Sequence, residues 1–212
     1  MKLHADALHP VEYSFQAPEP QVYFQIINVG GDTKVLSFIC QRENGFYKAG
    51  FEKIIAIRDM YSDEYKKFST TIDDEISRNF INGHDQEIQK LTRPERIKLF
   101  FAIMELEAWF LSFYNVFTRI DPILTTQYIE EQQGYNLENI DPQIEFFTPS
   151  KEVDNIYQLQ RKRTRYTKKK KHVERFTSNM SDFDFELTRS KSKCATFVQF
   201  HTEILSLIAQ LP

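Results

Sequence analysis

VYFQIINVGGDTKVLSFICQREN, residues 22–44, is the stretch that decides the fold. Its first eight residues (22–29) are apolar at nearly every position and rich in β-branched and aromatic side chains. A parallel strand covered by helices on both faces reads this way. Gly30-Gly31-Asp32-Thr33 then supplies a turn, with Asp32 or Thr33 as helix N-cap, and the residues that follow carry helical spacing. Strand, glycine turn and helix in that order open a βαβ unit.

The pattern repeats downstream. KIIAIRD (53–59) is a second strand with Asp59 at its carboxyl end, followed by the polar turn MYSDEY. Ile72, Ile76, Phe80 and Ile81 mark a charged helix over about 71–91, which Pro94 breaks. IKLFFAIMELE (97–107) reads as a third strand running into a buried helix, AWFLSFYNVF. Beyond Pro122 the pattern is helical: LTTQYIEEQ, SKEVDNIYQLQ with Ser150 as N-cap and Val153, Ile156 and Tyr157 inward, KKKKHVERFTSNM, and CATFVQFHTEILSLIAQL with Phe197, Phe200, Ile204 and Ile208 on one stripe. The expectation is an α/β protein: a parallel sheet flanked by helices over 21–120, a helical C-terminal part over 121–212, and an N-terminal arm (1–20) with Pro10, Pro18 and Pro20.

Composition narrows the class. A chain of 212 residues that is 41% hydrophobic has enough apolar surface for a core, and its net charge of −3 selects no partner by itself. No apolar run reaches the roughly 18–20 residues of a membrane span, and the first residues carry no secretory h-region. Cys40 and Cys194 are far apart and sit in apolar helical patterns, where free thiols behave as small core residues. A reducing cytoplasm, with no membrane role, is the expectation.

Ligands of open parallel sheets bind at the carboxyl ends of the strands. Three acidic sets are expected there: Asp32; Asp59 with Asp63 and Glu64; and Glu105 with Glu107, which a strand would point to one face. Clustered carboxylates repel unless a cation neutralises them, and a hard ion such as Mg²⁺ prefers oxygen ligands. Asp59, Asp63 and Glu107 are the candidate metal ligands, and Asp59, Glu105, Glu107 and Asp32 the candidate catalytic groups. Solvated turn or strand-end charge is the alternative for Asp63, Glu64 and Glu105, and helix capping the alternative for Asp32.

VYFQIINVGGDTKVLSFI, IIAIRDMYSDEY, FFAIMELEAWFLS and CATFVQFHTEIL, in that order, resemble a TOPRIM-like domain-of-unknown-function family related to the overcoming-lysogenization-defect nucleases. MELEAWFLS carries the family's paired glutamates as Glu105 and Glu107, and IRDMY carries its strand-end aspartate as Asp59. DPQIEFFTPSKEVDNIY is similar to the stretch and helix that follow. The resemblance implies a TOPRIM-like fold and a Mg²⁺- or Mn²⁺-dependent nuclease or nuclease-like effector of prokaryotic antiphage defence, working with an ATPase partner. Gly30 stands where the family has its first-strand glutamate, Lys34 where relatives often have a second acid, and Tyr61 in place of the second aspartate of Asp-x-Asp. The binding half of such a site is therefore better represented than the chemical half. A catalytically degenerate subunit that binds nucleic acid or the ATPase is the alternative.

RKRTRYTKKKKHVER (161–175) holds nine Lys and Arg against one Glu, leaving 18 basic and 29 acidic residues elsewhere. Arg161, Lys162, Arg163, Arg165, Lys168, Lys169, Lys170 and Lys171 are the candidate contacts to DNA or RNA phosphates, with Tyr166 placed to stack on a base. An acidic protein partner or a solvated helix face explains the same run. In the resembling family a Tyr and a Lys fall near this point, so Tyr166 and Lys168 are also candidates to face the site or to serve structure. The five histidines show no metal spacing, and His201 reads as a partly buried core histidine. No P-loop is present. The Gly30-Gly31 turn could hold a phosphate through backbone N–H groups. The oligomeric state, a homo-oligomer included, is left open.

Overall fold

The computed structural model describes residues 11–14, 23–60 and 71–209. At its centre lie β3 (Ile54–Asp59) and β4 (Ile97–Ala102), paired in parallel with Ile54 opposite Ile97 and Asp59 opposite Ala102. The ladder runs one step further, because the N–H of Met60 donates to the carbonyl of Ala102 at 2.9 Å. Both strands therefore end at one level.

Helix α1 (Val35–Lys48) buries Val35 and Ile39 against Ile88 and Ile97, with Ile54, Ala56 and Leu99 beside them. The carboxylate of Glu43, also buried, accepts from the N–H groups of Thr92 and Arg93 and so ties α1 to the turn before β4. Helix α2 (Asp74–Ile88) starts at Asp73, whose side chain accepts from the N–H groups of Glu75 and Ile76. Satisfying these otherwise unpaired donors is what favours Asp at this position. A second cluster, Met60, Phe101 and Met104, is packed by Phe80 and Ile81 of α2.

Among the described residues the α-helices that follow are α3 (Glu107–Ser112), α4 (Asn115–Ile120), α5 (Thr126–Gln133), α6 (Pro142–Glu145), α7 (Pro149–Gln158), α8 (Lys170–Thr177), α9 (Asp182–Ser190) and α10 (Ala195–Ala209). They enclose the main core, in which Phe110 stacks on Phe176 at 4.4 Å while Phe117 meets Tyr157 and Phe176 edge-on. Trp109 of α3 packs on Phe197 and Phe200 of α10, and Phe200 also meets Phe100 of β4. Val153, Ile156 and Tyr157 are buried, as the spacing of α7 predicts. The observed class is α/β, a small parallel sheet flanked by helices. No helix among the described residues is long and apolar enough to cross a membrane.

Several expectations are corrected. Of the expected strand 22–29, the described residues 23–29 do not join the parallel sheet: β2 (Tyr23–Ile26) pairs antiparallel with β1 (Val11–Ser14), which belongs to the expected arm. The rest of that arm, residues 1–10 and 15–20, lies outside the described residues. Asp32 is not an N-cap, for it opens a short 3-10 turn (Asp32–Lys34) and α1 begins from Lys34 without a side-chain cap. The 97–107 strand stops at Ala102, and the buried helix after it breaks into α3 and α4 around Phe113. Thr148, not Ser150, stands at the N-cap of α7. Cys40 and Ile208 are exposed, since each falls on the outward side of its helix; Cys194 is buried.

Candidate functional site

A strained turn carries the first two acidic groups. After β4 the chain reverses at Met104, which has φ 63 and is fully buried, while the N–H of Glu105 donates to the carbonyl of Ile103 at 2.9 Å. An i to i+2 bond about a residue at positive φ is a γ-turn, a conformation that costs about 1–3 kcal/mol outside glycine. Burial of the Met104 side chain beside Met60 and Phe101 holds it in place. Glu105 therefore sits in the turn, and Glu107 is the first residue of α3. They do not share a strand face, yet they converge.

Convergence comes from three separate anchors. Asp59 Oδ1 accepts from the N–H of Leu106 at 2.9 Å, Glu105 Oε2 from the N–H of Ser150 at 2.8 Å, and Glu107 Oε1 from the hydroxyl of Tyr166 at 2.9 Å. The second oxygen of each carboxylate turns toward the ammonium of Lys168. Nζ lies 3.8 Å from Asp59 Oδ2, 3.2 Å from Glu105 Oε1 and 3.4 Å from Glu107 Oε2. Both glutamate side chains are buried, Asp59 is 22% exposed and Lys168 50%.

Lys168 is delivered by the loop that leads into α8. Asp154 of α7 holds that loop: its Oδ1 accepts from the N–H of Tyr166 at 2.9 Å and from Arg165 Nε at 3.0 Å, and its Oδ2 pairs with Arg165 at 2.7 Å. On the outer side the N–H of Thr167 donates to His172 Nδ1. A shallow cleft of about 270 Å³, bordered by Ser150, Lys151, Asp154, Tyr166, Thr167 and Lys168, adjoins the cluster.

Charge is unevenly shared. Burial pushes the Asp59 carboxyl up to about 6; the ammonium of Lys168 opposes the rise, while Asp32 and Glu107 add to it. Burial acts against the ammonium of Lys168, but Glu107, Glu105 and Asp59 together outweigh it and hold its pKa above the ordinary lysine value. The two partners thus shift in ways that favour one charge and disfavour the other. Three acids share one base, so a buried acid is left undercompensated while the half-exposed base is well served. Burial, with Glu107 beside it, raises the phenol of Tyr166 far above its usual range, so it stays a proton donor to Glu107.

Other expected residues fall elsewhere. Asp32 is exposed and near enough to act electrostatically on Asp59 and Arg58, without joining the contacts around Lys168. Asp63, Glu64 and Tyr61 lie outside the described residues. Arg161, Lys162, Arg163, Arg165, Lys169, Lys170 and Lys171 are exposed, although Arg165 is engaged by Asp154 and Lys170 pairs with Glu174. Lys168, grouped by sequence with the phosphate contacts, instead enters the acidic cluster. Tyr166 is buried and cannot stack on a base. Gly30 has φ 76 with open space around it, so a glutamate there would meet no neighbour but a strained backbone. Its N–H donates to Asn28 Oδ1.

Sequence reasoning does not single out Arg58, the neighbour of Asp59. It is buried over the ring of Phe80 at 5.0 Å, with Nη1 3.0 Å from His84 Nε2. A guanidinium only donates, so Nε2 accepts and Nδ1–H donates to the carbonyl of Phe80 at 2.9 Å. Asp154 is missed as well. A carboxylate adjoining the inward Val153, Ile156 and Tyr157 is the signal that could have found it.

The donor set, three carboxylates, suits a hard divalent cation. The spacing suits an ammonium. Oxygens 3.2–3.8 Å from a common point are too far for Mg²⁺, which binds at about 2.0–2.1 Å. Among the described residues no group of three acidic, His or Cys side chains stands ready to hold a metal ion. No protein-family model, curated protein or solved structure matches the chain.

Proposed function

We propose that the cluster of Asp59, Glu105 and Glu107 is the reacting centre of a TOPRIM-type, divalent-cation-dependent nuclease acting on DNA or RNA. The observation that supports it is the convergence of Asp59 Oδ2, Glu105 Oε1 and Glu107 Oε2 on one point where two parallel strands end. Strand ends of open parallel sheets are where ligands bind. A bound Mg²⁺ or Mn²⁺ would be held by Asp59, Glu105 and Glu107 and would supply charge stabilisation at a phosphoryl group. The protein's own groups do the rest. Leu106 N–H, Ser150 N–H and Tyr166 hydroxyl fix the three carboxylates, and exposed Arg161, Lys162, Arg163, Lys169 and Lys171 engage the backbone phosphates through salt-dependent contacts. On the family resemblance, the chain would work in the cytoplasm beside an ATPase in an antiphage defence system.

Supercoiled plasmid and labelled single-stranded RNA, incubated with Mg²⁺ or Mn²⁺, test the reading. Cleavage that Asp59→Ala abolishes without unfolding the chain is expected. Absence of cleavage with either metal, alone or with the products of the neighbouring genes, overturns it.

A second reading, a catalytically silent subunit that docks nucleic acid or the ATPase, is favoured by Gly30 at the place of the family's glutamate and by Lys168 already neutralising the acids. It expects Lys169→Glu/Lys171→Glu to abolish nucleic-acid retention while Asp59→Ala leaves biological activity intact. Loss of activity in Asp59→Ala with every complex preserved would exclude it.

A further inference from the structure

The spacing around Lys168 fits an ammonium where the carboxylates would suit a metal, and the disagreement points to a built-in competitor. We propose that the Lys168 ammonium occupies the place of the divalent cation, so that metal binding and the seated lysine exclude each other. The inference rests on the cation-binding half of the proposed function and not on cleavage.

Three features of the geometry support it. First, one oxygen of each acid is fixed by a protein donor, Leu106 N–H, Ser150 N–H or Tyr166 hydroxyl, so the carboxylates are not arranged about Lys168 by its attraction alone. The protein holds them convergent. Second, Nζ lies within 3.2–3.8 Å of all three second oxygens, which leaves no room for a second cation among them. Two cations that close would repel strongly in a partly buried site. Third, the lysine is built to leave. It is 50% exposed, stands in a loop between α7 and α8, and ends a flexible four-carbon stem. Its backbone is held just before it by Asp154 at Tyr166 and by His172 at Thr167, and just after it by the N–H of His172 at the carbonyl of Lys169, so the side chain can swing to solvent while the loop stays put. With the ammonium gone, the three oxygens need to close by about 1 Å or more to reach metal-ligand distance, and their mutual repulsion then awaits a cation.

Mn²⁺ binding measured by calorimetry on the full chain, with circular dichroism to verify folding, tests this. Lys168→Met should bind Mn²⁺ roughly tenfold or more tightly than the wild type, because a unit positive charge is removed from the binding point. Lys168→Arg, which keeps the charge, should stay close to the wild type, and adding Glu107→Gln to Lys168→Met should remove the gain. A folded Lys168→Met with unchanged or weaker affinity, or a gain that survives Glu107→Gln, overturns the proposal. Should Lys168→Met not fold, the wild type alone decides. Acetylation of Lys168 by an N-hydroxysuccinimide ester, followed by mass spectrometry, should quicken when Mn²⁺ is added, and an unchanged or slower rate overturns it. Cleavage without the affinity change would sink this inference and leave the nuclease reading standing. The affinity change without cleavage would do the reverse.

Discussion

Replacing Asp59 with asparagine should make the protein more stable at neutral pH, and the gain should grow with pH. The Asp59 carboxyl titrates at about 6 in the fold against 3.8 for an ordinary aspartate. An acid with a raised folded pKa binds its proton more tightly when folded. Its contribution is fully present below about pH 4 and is lost as pH rises through about 6. Above that point ionised Asp59 lowers the stability of the fold by about 3 kcal/mol, the equivalent of the pKa rise. The asparagine side chain would keep an oxygen for the Leu106 N–H and could not ionise, though it would forgo the attraction of Lys168. The expected net gain for Asp59→Asn is about 1–3 kcal/mol at pH 7.5, shrinking to near zero at pH 4, a stability cost of the kind functional sites carry. Urea unfolding at pH 4, 5, 6 and 7.5, followed through the fluorescence of the single tryptophan, Trp109, measures it. Equal stability of the two proteins at pH 7.5, or a gain of the same size at pH 4 and 7.5, would refute the reasoning.

Three further outcomes are expected. Tyr166→Phe removes the hydroxyl that donates to Glu107 and should lower stability by about 1–2 kcal/mol in the same urea assay. Asp154→Ala leaves the buried N–H of Tyr166 unpaired and releases Arg165. It should cost about 2–4 kcal/mol and speed tryptic cleavage after Arg165 or Lys168, read by mass spectrometry. Thr196→Val deprives both Trp109 Nε1, at 3.1 Å, and Gln143 Oε1, at 2.6 Å, of their partner. A loss of about 1–3 kcal/mol in thermal unfolding, with a shifted Trp109 emission, should follow.

Legibility in the sequence followed locality. Strand β3 announces itself because its apolar run is short and ends in a polar turn, the start of β4 because its apolar run follows the break at Pro94, and the inward face of α7 follows from helical spacing. The end of β4 does not, because nothing marks Met104 as a residue at positive φ; its burial among Met60 and Phe101 and the bond of Leu106 N–H to Asp59 sustain that turn. Strand alternation would bring Glu105 and Glu107 together, and they meet instead by a γ-turn and a helix start. Residues 22–29 have strand composition, but composition carries no information on which partner a strand takes, and β2 took β1. Helix α9 escapes the periodicity reading although Ser181 and Asp184 form a capping box visible as Ser-x-x-Asp in the sequence. The donors at Ser150 and Tyr166 and the seat of Lys168 depend on segments 45 to 63 residues from the glutamates they touch, and no local pattern encodes that distance.

The long reach of the 166–168 loop has a consequence for biosynthesis. A chain emerging from the ribosome lays down Asp59, Glu105 and Glu107 well before Tyr166 and Lys168 are made. Until those residues arrive, the acids lack both the phenol that orients Glu107 and the charge that balances the trio. Completion of the centre is thus among the later events of maturation, because the donors that make the three acids converge are themselves among the later residues made.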